Sequence, residues 1–176
     1  MTAWAAMVRA VNVGGARLAM ADLRAIGTAA GFEAVRTHLN SGNLLFEASS
    51  GTPRQYAATV SAELERLVGR PVPVIVRTGE QLRRAADRAR RLFPDAPEKT
   101  VAIAFLDRPV LDVAPDRLGT FDTERYVIDG DAVHLLYPAG QADSKLTLPM
   151  IEKRLGVVAT ARGVRSVEGM ATLLGA

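Results

Sequence analysis

Apolar and polar positions change period several times along the chain, and each change predicts an element. Residues 3–9 are almost continuously apolar through Trp4-Ala5-Ala6-Met7-Val8 and predict a buried strand. Asn12-Val13-Gly14-Gly15 breaks it. Met20, Leu23, Ile26 and Ala30 recur at helical spacing and predict a helix over 20–30, with Gly31 as a left-handed C-terminal cap. Two short apolar runs, 35–39 and 43–48, flank the turn Asn40-Ser41-Gly42-Asn43 and predict a hairpin. Thr52 and Pro53 open a helix as N-cap and first helical residue. Tyr56, Val60, Leu64 and Leu67 form its stripe, and Gly69 ends it. A strand follows over 72–77.

Thr78-Gly79-Glu80-Gln81 reads as a capping box that starts a helix over 79–93. The remaining pattern predicts a strand over 100–106 and a short helix over 112–119. A hairpin of strands 124–129 and 132–137 turns at Asp129-Gly130. Helices over 148–155, closed by Gly156, and over 166–174 complete the chain. The first half reads β-α-β-β-α-β, the split pattern of ferredoxin-like domains, and the second echoes its first five elements. The expected fold is α+β with two ferredoxin-like halves: 1–78, a linking helix in 79–99, and 100–176 with C-terminal helices. In that arrangement each sheet carries helices on one face and leaves the other free.

Composition narrows the function classes. The 176 residues are 48% hydrophobic and 23% charged, in the range of an ordinary globular chain. The start lacks a basic n-region and reads as a strand rather than a signal peptide, and no apolar run is long enough to span a membrane. The chain has no cysteine, which excludes disulfides and thiol chemistry and fits a cytoplasmic setting. Only His38 and His134 offer imidazole, so no metal site and no cofactor are expected. The net charge of +3 is a weak pointer to nucleic acid.

Several motifs have a chemical reading beside a plain structural one. Gly14-Gly15 follows a strand and precedes a helix, so its backbone N–H groups can cradle a phosphate, or it is simply a turn that needs positive φ. Asn40-Ser41-Gly42-Asn43 offers a hydroxyl and two carboxamides, and is equally an ordinary turn. Arg84, Arg88 and Arg91 share a face of the 79–93 helix, as a nucleic-acid footprint or as solvated side chains. Asp129-Gly130-Asp131 suits a hairpin better than a calcium loop, which needs more oxygen ligands. Ser144-Lys145 lacks any readable oxyanion hole and is rejected as a nucleophile pair.

Three motifs taken together resemble a known family. They are Arg9-Ala10-Val11-Asn12-Val13-Gly14-Gly15, then Ser41-Gly42-Asn43 with Phe46, then Ile151-Glu152-Lys153-Arg154-Leu155-Gly156-Val157 followed by Ala159-Thr160-Ala161-Arg162. In this order they are similar to the bacterial family called domain of unknown function 1697. The resemblance implies an α+β fold of two ferredoxin-like halves and implies no activity. The family pattern continues from the arginine into an asparagine and an aromatic residue, whereas Gly163-Val164 follows Arg162 here.

The leading functional expectation is a binding protein for a small anionic ligand, nucleotide or phosphorylated. Asn12, Gly14, Gly15, Arg17, Lys145 and Arg162 are its candidate residues, with Ser41 and Asn43 as a further wall. The 12–17 loop and the 160–162 segment are expected to frame one shallow pocket. Alternatives are a nucleic-acid-binding protein using the basic helix or a sheet face, an enzyme of unknown type, and an interaction protein using an edge strand or helix.

Overall fold

The computed structural model describes residues 1–9 and 18–176. It is a mixed α+β chain with two four-stranded sheets and, among the described residues, five α-helices. Strands β1 (Thr2–Val8), β2 (Glu33–Thr37), β3 (Asn43–Ala48) and β4 (Val74–Thr78) form the first sheet, in the order β2-β3-β1-β4. Strands β5 (Val101–Leu106), β6 (Arg125–Asp129), β7 (Ala132–Leu136) and β8 (Ala159–Gly163) form the second, in the order β6-β7-β5-β8. Every pairing is antiparallel. The helices are α1 (Met20–Ala29), α2 (Pro53–Val68), α3 (Gly79–Leu92), α4 (Leu148–Leu155) and α5 (Val164–Leu173). One compact unit comprises Met1–Leu82 with Gly169–Ala176, and the other Arg83–Glu168. No helix among the described residues is long and apolar enough to cross a membrane.

The helix ends follow their local chemistry. Thr52 accepts from the Gln55 N–H through its hydroxyl, and the Gln55 side chain accepts from the Thr52 N–H at 2.8 Å. Gly69 closes α2 in the left-handed region, where a Cβ would be strained. Thr78 and Gln81 make the same reciprocal pair at the start of α3. Thr147 caps α4, and Gly156 ends it at φ 66°.

In the first unit Tyr56, Val60 and Leu64 of α2 pack on Ala6, Val8, Leu44, Phe46, Val74 and Val76. Each valine, leucine or phenylalanine among them contributes about 1.5–3 kcal/mol when withdrawn from water. Phe32 stacks on Phe46 with centroids 4.1 Å apart, and Tyr56 meets both rings edge-on. In the second unit Ala102, Ala104, Leu106, Val133 and Leu135 face Leu118, Leu146 and Ile151.

The opposite sheet faces are not free. Ala5, Met7, Leu45 and Ile75 are buried in the first, and Ile103, Phe105, His134 and Leu136 in the second. The physical reason is legible in the strands themselves. β1 and β5 are continuous apolar runs rather than alternating ones, the pattern of strands buried on both faces. Each second face also carries a buried arginine. Arg77 donates Nη1 to the Val76 carbonyl at 2.9 Å, and Arg162 donates Nη1 to the Ala161 carbonyl at 2.8 Å.

Two elements depart from the sequence pattern. The helix expected at 112–119 is a pair of tight turns: the Arg117 N–H reaches the Ala114 carbonyl, and the Gly119 N–H reaches Asp116. Pro115 has no N–H to continue a helix, and Gly119 at φ 87° ends the turn. Strand β8 has no counterpart in the expectation. Its Ala-Thr-Ala-Arg-Gly composition carries little β propensity, and pairing with β5 creates it.

Candidate anion-binding site

Of the sequence-derived site residues, Ser41, Asn43, Lys145 and Arg162 are described. Asn12, Gly14, Gly15 and Arg17 lie outside the described residues. Ser41 and Asn43 belong to the first unit. Asn43 is fully buried and donates Nδ2 to the His38 carbonyl at 3.0 Å and to Ser41 Oγ at 3.1 Å. Its carboxamide thus braces the β2–β3 turn. In the second unit Arg162 is buried on β8 and donates to Thr160 Oγ1 at 2.9 Å. Burial lowers its pKa to about 10, so it remains charged at neutral pH. Side chains alternate along a strand, so Thr160 and Arg162 point away from the core that Ala159 and Ala161 share with α4. Lys145 lies on the α4 side, exposed at a cleft.

That cleft has a volume of about 580 Å³ and runs between the 118–124 and 139–145 segments, with Met150 and Arg154 of α4 on its wall. Ser144 donates its hydroxyl to Glu124 and accepts from the Leu146 N–H at 3.0 Å. The Ser144 hydrogen bond holds the Glu124 carboxyl below its usual range. Ser144 thus braces the loop between Glu124 and the Leu146 N–H. The Tyr137 hydroxyl supports the same loop by donating to the Leu146 carbonyl at 2.9 Å, and burial pushes its pKa up to about 12.

A second, more open cleft of about 530 Å³ shares Met150 and Arg154 with the first, and its other lining residues are Arg117 and Lys153. Its two arginines are held by a reciprocal latch. Arg117 donates Nε to the Arg154 carbonyl at 3.2 Å, and Arg154 donates Nη1 to the Leu118 carbonyl at 2.6 Å. The turn and the C-terminal end of α4 thereby fix each other. The exposed α4 carbonyls account for part of this, since cations at a helix C-terminus offset the macrodipole. Each guanidinium still keeps donors with no described partner. Arg117, Lys145, Lys153 and Arg154 have no carboxylate within ion-pair distance among the described residues. Arg88, by contrast, pairs with Asp129 at 3.0 Å, and Arg90 with Glu168 and Glu98, both at 2.8 Å.

Arg117, Lys153 and Arg154 were not singled out in the sequence as candidate site residues. Lys153 and Arg154 stood in a motif singled out for its resemblance, but Arg117 sat in a segment misassigned as helix. The arginine face of α3 is partly neutralised by the Arg88–Asp129 pair. Among the described residues no group of three or more His, Asp or Glu is placed to hold a metal ion.

A two-sheet α+β chain with buried sheet faces and an unneutralised basic cleft beside α4 defines the class of protein. The chain belongs to the family described as protein of unknown function (DUF1697), whose model matches residues 1–134. The α4–β8 segment lies beyond the matched residues. Among solved structures the chain is similar to the conserved bacterial protein SP0830 from Streptococcus pneumoniae, with a TM-score of 0.72 at 18% identity. That likeness covers 100% of this chain and 99% of the other, and it speaks to the fold. No curated protein matches the chain.

Proposed function

We propose that this is a cytoplasmic binding protein for a small phosphorylated anion, seated on Arg117, Lys153 and Arg154. One observation carries the reading: two guanidiniums pre-positioned by their own backbone hydrogen bonds, beside a lysine, with no carboxylate within ion-pair distance of them among the described residues. A planar guanidinium presents paired N–H donors that match two phosphate oxygens, and pre-positioning lowers the entropy cost of using them. The scaffold reading is two ferredoxin-like halves. The order β2-β3-β1-β4 with antiparallel neighbours supports it in the first unit, and β6-β7-β5-β8 repeats that order with a loop in place of the first helix.

The test is thermal denaturation with inorganic phosphate and pyrophosphate. At tenfold excess over Kd a ligand specific to the folded state adds about 1.4 kcal/mol. For a chain of this size that raises Tm by about 3–6 °C. Lys153 is exposed and makes no hydrogen bond among the described residues, so Lys153→Glu should remove the shift while lowering the ligand-free Tm only slightly. The reading fails if neither anion shifts Tm, or if the shift survives in Lys153→Glu. Oligonucleotide affinity that falls steeply with salt, without any pyrophosphate effect, would replace it with nucleic-acid binding.

A further inference from the structure

Resting on that reading, we infer that the adjoining cleft selects the body of the ligand, and that the ligand is a hydroxyl-rich phosphate ester of the sugar phosphate class. The two clefts share Arg154 and Met150 in their linings but differ in chemistry. The open one has cations and no acid. The other is lined by Asp122, Glu124 and Asp143 as well as by Lys145 and Arg154. A phosphate is repelled by the carboxylates and is held at the cationic end. The group next to it must then satisfy acceptor-only carboxylates and donor-only cations within one space. A hydroxyl both donates and accepts, and adjacent hydroxyls can address the two oxygens of one carboxylate. An ammonium only donates, and would leave Lys145 without a partner.

The carboxylates are not equivalent. Glu124 is already engaged by Ser144 and Thr123. Asp122 and Asp143 have no described partner and remain available to ligand hydroxyls. The apolar wall of Met150 and Phe121, the latter set edge-on against Tyr126 at 6.0 Å, suits the carbon face of a sugar ring. The volume of about 580 Å³ falls within the range of small-molecule sites.

Calorimetric titration of the full chain with inorganic phosphate, glucose 6-phosphate, glucose and phosphoethanolamine tests this. Glucose 6-phosphate should bind at least about tenfold more tightly than inorganic phosphate, the scale of a charge-assisted hydrogen bond. Asp143→Asn should remove that advantage and leave phosphate affinity unchanged or slightly raised. Asp122→Asn, on the same cleft, gives a second reading should Asp143→Asn fold poorly. Equal affinity for the two phosphates, or no effect of either variant, overturns the sugar assignment and leaves the phosphate site intact. Tighter binding of phosphoethanolamine overturns it in favour of an amine. Failure of every phosphate to bind removes the underlying site as well.

Discussion

His134 should make this protein acid-sensitive by an amount that can be worked from its surroundings. The side chain lies on β7 at 2% exposure, directly across from Ile103. Its Nδ1 has no hydrogen-bond partner among the described residues, and its Nε2 is 3.9 Å from the Asp129 carboxylate. Burial lowers its pKa to about 4. Asp129 opposes that shift and Arg88 adds to it. In the unfolded chain the imidazole titrates at its ordinary value near 6.5. Above that value neither state is protonated and the residue has no pH-linked effect. Between about 6.5 and 4 the unfolded state binds a proton that the folded state does not, so stability falls as the pH falls. At about 1.4 kcal/mol per pH unit, the loss reaches about 3 kcal/mol by pH 4. Urea denaturation of the wild type and His134→Leu, from pH 7.5 to 4.5, measures it. Carboxylates other than Asp129 contribute equally to both proteins, so the difference between them reports the imidazole together with its coupling to Asp129. The variant should gain relative to wild type as the pH drops. A difference that stays flat across this range would refute the argument, because the buried imidazole would then titrate normally.

Two further substitutions probe local devices. Gly119→Ala places a Cβ at φ 87° and 2.7 Å from Arg154 Nη1, so it should cost about 1–2 kcal/mol. It should also weaken the phosphate-induced thermal shift by displacing Arg154, which thermal denaturation with and without pyrophosphate would detect; an unchanged shift would separate the latch from binding. Thr52→Ala removes the cap of α2 and should lower stability by about 1 kcal/mol in chemical denaturation, whereas Thr52→Ser should lower it much less.

Much of the fold was legible because its signals are local. Thr52-Pro53 with Gln55, Thr78 with Gln81, and Gly69 and Gly156 act within a few residues, so the sequence by itself determined where helices start and stop. Asp129-Gly130 likewise set its hairpin, with Gly130 at φ 60°. The continuous apolar runs of β1 and β5 also contained the news that both sheet faces are buried, although the helix count suggested one free face. Tertiary structure alone decided the rest, because it depends on partners distant in sequence. Ala159–Gly163 becomes a strand only where β5 supplies backbone groups to pair with. Strand alternation turns the Arg162 side chain onto the buried sheet face opposite α4, which its neighbours in sequence do not announce. Arg117 and Arg154 come together only when the 115–119 turn meets the end of α4 and each donates to the other segment's carbonyl. A basic cleft made in this way has no linear motif, since its charges are spaced by the fold and not by the chain.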